Sequence, residues 1–134
     1  MNNKKELFDI WNEEKKQIDE KNLTVFAKPR QICYIKLGCN VWFEENGKRW
    51  FMRPVLIISK IWILYFVIPL TSKNKENQYH YQIKSVSFNQ KQTYAILSQW
   101  KIIDWRRLIE KKWICSIDEF SNIKKILRNM YFPE

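Results

Sequence analysis

The chain has 134 residues, of which 46% are hydrophobic and 28% charged, so it suits one globular domain and is too apolar for a disordered protein. Its two glycines are too few for a GxGxxG or a GxxxxGK[ST] phosphate-binding loop, which argues against the common nucleotide-binding classes. The formal net charge of +10 predicts an anionic partner, and nucleic acid is favoured over a membrane surface.

The charge is unevenly distributed along the chain. Residues 1–22 contain five lysines and six acidic residues, whereas residues 23–134 contain nineteen basic and eight acidic residues, a net charge of +11. The predicted anion-binding surface therefore belongs to the central and C-terminal part of the chain.

The cysteines and the apolar segments predict a cytoplasmic protein. Cys33, Cys39 and Cys115 form no CxxC pair, which is typical of small buried thiols in a reducing compartment. No apolar stretch follows the charged N-terminus, so we expect no secretory signal. The most apolar stretch, residues 54–70, is too short and too interrupted by polar residues and proline to span a bilayer.

The first half of the chain predicts a helix followed by short strands. Residues 3–21 have an apolar stripe typical of an amphipathic helix, formed by Leu7, Ile10, Trp11 and Ile18. Residues 31–37 alternate as a strand does, and Asn46-Gly47 predicts a β-hairpin between residues 41–44 and 49–52. Residues 55–59 and 63–69 are β-branched and aromatic runs that predict two central antiparallel strands.

The second half predicts further strands and a closing helix. Residues 82–88 and 94–98 are expected to be strands, and residues 100–104 to extend the second of them. Ser116 and Glu119 form a capping box ahead of a helix predicted over residues 117–130. Five to seven short strands in a chain of this size favour a mainly β, α+β fold built on a small barrel, because closure hides strand edges.

A candidate anion site follows from the spacing of the central strands. The turn between the two central strands is predicted near residues 60–62. If the strands pair symmetrically about residue 62, Arg53 lies opposite Thr71. A guanidinium and hydroxyl groups suit a phosphate, with Ser72 and Lys73 following and Glu44 and Glu45 on the preceding hairpin within reach. The competing interpretation is that Arg53 is a solvated charge at a strand end and Thr71 an ordinary strand residue.

Aromatic and basic residues interleave on the predicted hairpin, as single-stranded nucleic acid binding requires. These residues are Trp42, Phe43, Lys48, Arg49, Trp50 and Phe51. Half of the rings are expected to be core, since a hairpin buries one face.

His80, the single histidine, lies in a polar stretch, and Trp105-Arg106-Arg107 reads as a solvated basic face. One histidine and unpaired cysteines give no metal site and no Ser/His/Asp or Cys/His constellation, so no cofactor is expected.

Four segments in order resemble the MazF/PemK family of bacterial type II toxins. They are QICYIKLGCNVWFEENGK, RPVLIIS, IPLTS and ILSQWKIIDWRRLIEK. The resemblance covers the chain from about residue 31 onward and implies an SH3-like, partly open β-barrel of the CcdB/PemK type, usually a homodimer. It further implies a single toxin domain over residues 1–134, with residues 1–25 as an N-terminal helical extension and residues 30–134 as the barrel core.

The resemblance also implies an activity and site residues. The family cleaves RNA, and Arg53 and Thr71 fall on its catalytic pair, while Ser98 and Gln99 fall on its Ser-Gln at the floor of the RNA groove. We expect metal-independent cleavage of single-stranded RNA, with Glu45 favoured as the base, and a cognate antitoxin as a partner. The RNA-binding residues are expected to be Glu44, Lys48, Arg49, Trp50, Ser72, Lys73, Ser98 and Gln99. Trp42, Lys48 and Arg49 depart from the family pattern, which leaves the identity of the base open.

Three other functions are compatible with the same barrel. A non-catalytic nucleic-acid-binding module would need the basic surface but not the Arg53–Thr71 pair. A CcdB-like toxin would act on a protein such as gyrase, and a degenerate toxin would only bind its antitoxin.

Overall fold

The computed structural model describes Lys4, Asp9, Ile10 and residues 26–36, 52–73, 79–88 and 91–133. Within these residues the chain forms seven strands and a C-terminal helix: β1 (Gln31–Lys36), β2 (Met52–Ile61), β3 (Leu64–Thr71), β4 (His80–Phe88), β5 (Lys91–Ile96), β6 (Lys101–Asp104), β7 (Leu108–Ile114) and α1 (Ile117–Tyr131). Lys4, Asp9 and Ile10 are helical, whereas the rest of the predicted N-terminal helix and the predicted Asn46-Gly47 hairpin lie outside the described residues.

The apolar runs β2 and β3 form the centre of an antiparallel sheet, as predicted. The strand order is β4-β5-β3-β2-β1-β7, and β6 also pairs with β3. One edge of β3 pairs with β2, while its other edge pairs first with β6 and then, through Leu70 and Thr71, with β5. β3 therefore carries three neighbours, which explains why it must be apolar along nearly all of its length.

The two faces of the sheet bury two separate cores. Neighbouring residues of a strand point to opposite faces, and accordingly Leu56 packs with α1 whereas Ile57 packs on the other side. The α1 side contains, among others, Ile32, Leu56, Ile68, Leu70, Phe120, Ile123 and Leu127. The opposite side contains Cys33, Ile35, Val55, Ile57, Tyr65, Val67, Ile103 and Leu108, with Ala27 at its margin. Each such fully buried aliphatic side chain contributes about 1.5–3 kcal/mol.

The first turn of α1 joins the two edge strands of the described sheet. Ser116 follows β7, and its amide donates to the Ser85 hydroxyl on β4 (3.2 Å). The Glu119 carboxylate accepts the amides of Lys84 (2.6 Å) and Ser85 (3.1 Å). Ser116 caps the Glu119 amide (3.2 Å), which confirms the predicted capping box. The barrel is partly open, as expected, because helix contacts rather than strand pairing join β4 to β7.

The β2–β3 turn lies slightly later than predicted. Lys60 and Ile61 belong to β2, and Trp62 and Ile63 form a two-residue turn between the paired residues Ile61 and Leu64. A bulge between Ile57 and Ser59 shifts the register near the turn by one residue, while the pairs beyond the bulge keep the predicted register. Trp62 has a left-handed φ of 57°, a conformation that normally favours glycine or asparagine.

Three details of the second half of the chain differ from the prediction. Ser98 belongs to a 3₁₀ turn, Leu97–Gln99, and not to the preceding strand. Residues 101–104 form a separate strand on β3, so they do not extend β5. Strand β7, which pairs with β1, was not predicted, because its polar run of Glu110, Lys111 and Lys112 carries little apolar alternation. In the described part of the chain, none of the helical segments combines the length and apolarity needed to cross a membrane.

Candidate active site

Four side chains form a row across four adjacent strands at one end of the sheet. Ile35 of β1 lies opposite Arg53, and Val55 lies opposite Pro69. Continuing the β2–β3 register by two residues brings Arg53 level with Thr71. Thr71 lies opposite Tyr94, and Tyr94 opposite Gln82. Directly opposed residues of a sheet point to the same face, so the row consists of Arg53, Thr71, Tyr94 and Gln82.

This row contains two of the three buried polar residues among the described residues. Arg53 is 2% exposed and Thr71 4% exposed, and Thr93 is the third buried polar residue in the described part of the chain. Burying a guanidinium is costly unless other groups compensate its charge. The row therefore places a buried guanidinium and a buried hydroxyl, both of which can donate hydrogen bonds to an anion, at one end of the sheet.

The end of β3 fixes the Thr71 hydroxyl. Thr71 Oγ1 accepts a hydrogen bond from the Lys73 amide at 3.2 Å, as serine and threonine do where a strand passes into a turn. Because the oxygen accepts this bond, its own proton is directed away from Lys73 and can be donated to an anion. Ser72 is half-buried and Lys73 exposed, so cationic and hydroxyl groups continue from the buried row towards solvent.

Tyr94 and Gln92 extend this end of the site on β5. The Tyr94 phenol donates to Gln92 Oε1 at 2.5 Å, and the two residues share one face of the strand. Sequence reasoning missed both, because Tyr94 reads as an ordinary apolar strand residue. Only the pairing of β5 with the end of β3 places it beside Thr71, and no spacing in the sequence predicts that pairing.

The structure brings some of the sequence-predicted site residues together. Arg53, Thr71, Ser72 and Lys73 lie at one end of the sheet. The predicted residues Glu44, Glu45, Lys48, Arg49 and Trp50 lie outside the described residues. They belong to residues 37–51, which join the end of β1 to the start of β2, where Lys36 is paired with Met52 at this same end of the sheet.

Ser98 and Gln99 occupy a different position from Thr71. Their 3₁₀ turn follows β5 and precedes β6, so it lies beside the middle of β3 rather than at its Thr71 end. Ser98 is exposed and Gln99 half-buried. Contact with the same phosphate as Arg53 is therefore not expected from these two residues, and their contact with RNA stays a prediction.

Other titratable groups support the fold. Arg106 hydrogen-bonds Asp104 (Nε to Oδ1, 2.9 Å), and this bond lowers the pKa of Asp104 despite the opposing effect of burial. Arg106 is thus paired with Asp104, and the interpretation of residues 105–107 as a solvated basic face stays a prediction. His80 is half-buried at the start of β4. Across the described ranges, no three His, Cys, Asp or Glu side chains are grouped as a metal site.

Comparison with solved structures identifies the architecture. MazF from Deinococcus radiodurans (Form-I) has a TM-score of 0.64 at 16% identity, with 79% of this chain and 96% of that chain covered. A chain of the MazE-MazF structure (Form-II) from the same organism has a TM-score of 0.62 at 14% identity, with 82% of this chain and 99% of that chain covered. The fold is therefore the partly open MazF-like barrel. A search of the curated proteins finds no significant match.

Comparison with family models identifies the family. The model described as "PemK-like, MazF-like toxin of type II toxin-antitoxin system" matches residues 28–131. The chain therefore belongs to the PemK/MazF-like family of type II toxins.

Proposed function

We propose that this chain is the toxin of a type II toxin–antitoxin pair and that it cleaves single-stranded RNA at the Arg53–Thr71 site. The observation that carries the proposal is the placement of a buried guanidinium and a buried hydroxyl at one level of two adjacent strands. Family membership and the net charge of +10 support an RNA substrate. The resemblance in sequence and the match over residues 28–131 favour one toxin domain with an N-terminal extension.

The proposed reaction needs no protein nucleophile. The ribose 2′-oxygen attacks the adjacent phosphorus, the bond from phosphorus to the 5′-oxygen breaks, and the products carry a 2′,3′-cyclic phosphate and a 5′-hydroxyl. The 2′-hydroxyl proton passes to a base, and a general acid or water donates a proton to the leaving 5′-oxygen. Arg53 stabilises the charge that grows on the phosphoryl oxygens, and Thr71 adds a neutral donor.

The base must be another group, because arginine stays protonated at ordinary pH. Glu45 is the proposed base, with Glu44 as the alternative; both belong to residues 37–51, which connect to the sheet at the Arg53 end. Replacing each glutamate by glutamine separates the two. We expect Glu45→Gln to remove the base-dependent limb of the pH–rate profile and Glu44→Gln to retain it.

The burial of Arg53 sets a condition on the mechanism. A side chain that is 2% exposed does not touch a phosphate in the unbound protein. RNA binding is proposed to rearrange the residues around the row, so that the scissile phosphate reaches the guanidinium. We propose that part of the RNA binding energy is used for this rearrangement.

The direct test is cleavage of a defined single-stranded transcript by purified protein, with mapping of fragment ends. We expect Arg53→Ala to remain folded and to lose about 10²-fold or more in cleavage rate, as for loss of one charge-stabilising donor. Arg128→Ala, which removes an exposed arginine from the last turn of α1, is the matched control and should retain the wild-type rate. Wild-type rates in folded Arg53→Ala would refute the assignment.

The same assay separates the alternatives. Cleavage in excess chelator supports a metal-independent reaction, whereas loss with chelator and recovery with Mg²⁺ would contradict it. RNA binding without fragments favours a non-catalytic binding module. DNA breaks trapped without loss of RNA favour a toxin that acts on a protein such as gyrase.

The proposed partners are an antitoxin and a second copy of the chain. Two of the similar chains come from MazE-MazF structures, which favours a cognate antitoxin here. A basic surface is complementary to an acidic antitoxin segment that orders on binding. A homodimer in the cytoplasm is the expected state, and sedimentation of the purified chain tests the dimer.

A further inference from the structure

Strand β5 carries a polar pair directly beside the proposed cleavage site. Thr71 lies opposite Tyr94, and Gln92 lies two residues before Tyr94 on the same face of β5. Diagonal neighbours across two strands lie about 7–8 Å apart between Cα atoms, which puts Gln92 within side-chain reach of the group that Thr71 contacts. Gln92 and Lys73 are both exposed, whereas Thr71 and Tyr94 are buried.

The hydrogen bond between Tyr94 and Gln92 fixes the direction of the glutamine amide. The phenol donates to Gln92 Oε1 at 2.5 Å, so the amide oxygen faces Tyr94. The amide nitrogen, with two N–H donors, then points away from the phenol. Gln92 is exposed, so these donors are presented at the surface.

The two members of the pair have different roles. The Tyr94 side chain is only 6% exposed, so its ring cannot stack on an RNA base. It can act only through the group it holds, which makes Tyr94 a positioning residue. Gln92 is the member that can contact RNA directly.

We infer that Gln92 reads the base next to the scissile phosphate and that Tyr94 orients its amide for this purpose; the inference rests on the proposed RNA cleavage. An outward N–H₂ group donates hydrogen bonds and therefore selects a base edge that offers a carbonyl oxygen. Guanine and uracil offer such an oxygen at the ring position where adenine and cytosine carry an amino group, which is a donor. The pair therefore favours guanine or uracil at one position beside the cut. Single-stranded RNA exposes these edges.

The test is cleavage of a single-stranded RNA pool randomised around the cut, followed by sequencing of the fragment ends. Wild-type protein should show a guanine or uracil preference at one position flanking the cut. Gln92→Ala should reduce that preference by about 3- to 10-fold, as for loss of one hydrogen bond. Gln92→Glu exposes a carboxylate oxygen and should shift the preference towards cytosine or adenine.

Tyrosine variants test the positioning role. Tyr94→Phe frees the Gln92 amide to rotate and should weaken discrimination at the same position while other positions keep their profile. Tyr131→Phe removes a phenol that donates to the Leu97 carbonyl at 3.1 Å, away from this site, and should keep the wild-type profile. An unchanged base profile in active Gln92→Ala and Gln92→Glu would overturn this inference alone. Absence of fragments with the wild-type protein would overturn the proposed function and this inference together.

Discussion

The carboxylate of Glu119 is expected to stabilise the fold by joining α1 to the edge of β4, and Glu119→Ala tests this directly. The substitution removes hydrogen bonds from the Lys84 and Ser85 amides and one from the Ser116 hydroxyl. A hydrogen bond to a charged group contributes about 1.5–3 kcal/mol when it is shielded, and less where water can replace it. Glu119 is half-buried, so we expect a total loss of about 2 kcal/mol.

The expected loss is measurable by urea unfolding and by thermal melting. For a domain of this size it corresponds to a fall of about 5–8 °C in the melting temperature. Glu110→Ala is the matched control, since Glu110 is an exposed edge-strand glutamate paired only with Lys112 (3.5 Å) among the described residues. It should change the free energy of unfolding by less than about 0.5 kcal/mol. Equal effects of the two substitutions would refute the reasoning.

The pH dependence of stability gives a second readout of Glu119. Burial raises the pKa of Glu119, but hydrogen bonds from Ser85, Lys84 and Ser116 outweigh it, so the pKa lies below the ordinary 4.5. A lowered pKa in the folded state contributes stability that is present above 4.5 and is lost as the pH falls through the folded value. The difference in stability between wild type and Glu119→Gln should therefore shrink as the pH falls below 4.5.

Three further predictions concern buried or strained positions. Thr93→Val should raise the free energy of unfolding by about 1 kcal/mol, because the buried Thr93 hydroxyl has no hydrogen-bond partner among the described residues; a fall in urea midpoint would contradict this. Trp62→Gly should be about 1 kcal/mol more stable than Trp62→Ala, since only glycine accepts the φ of 57° without cost; the reverse order in thermal melts would argue against strain at this turn. Burial raises the pKa of both the Cys33 and the Cys115 thiol to about 11, so iodoacetamide at pH 8 should modify them only after unfolding, by peptide mapping; rapid labelling in the folded protein would disprove their protection.

Much of the fold follows from local sequence patterns. β-branched runs predict β2 and β3, and the capping box at Ser116 predicts the start of α1. The 3₁₀ turn at Leu97–Gln99 was missed because apolar alternation does not reveal where one strand ends and the next begins. Strand β7 was missed because its side chains are mainly polar.

The candidate site was predictable only in part. A symmetric hairpin predicts Arg53 opposite Thr71. The bulge after Ile57 shifts only the pairs between itself and the turn, so the pairs on the Arg53 side of the bulge keep this register. Tyr94 depends on the pairing of β3 with β5, which are separated by β4 in the chain. Pairing between distant segments is set by packing on both faces of the sheet, and no local spacing encodes it.

The most direct test of the central claim is a double-mutant cycle on RNA cleavage with Arg53→Ala, Thr71→Val and the combined variant. If both side chains hold one phosphodiester, their effects should be strongly non-additive, and the double variant should be little slower than Arg53→Ala. Multiplicative losses in folded variants, or wild-type cleavage in Arg53→Ala, would contradict a shared site on these two strands.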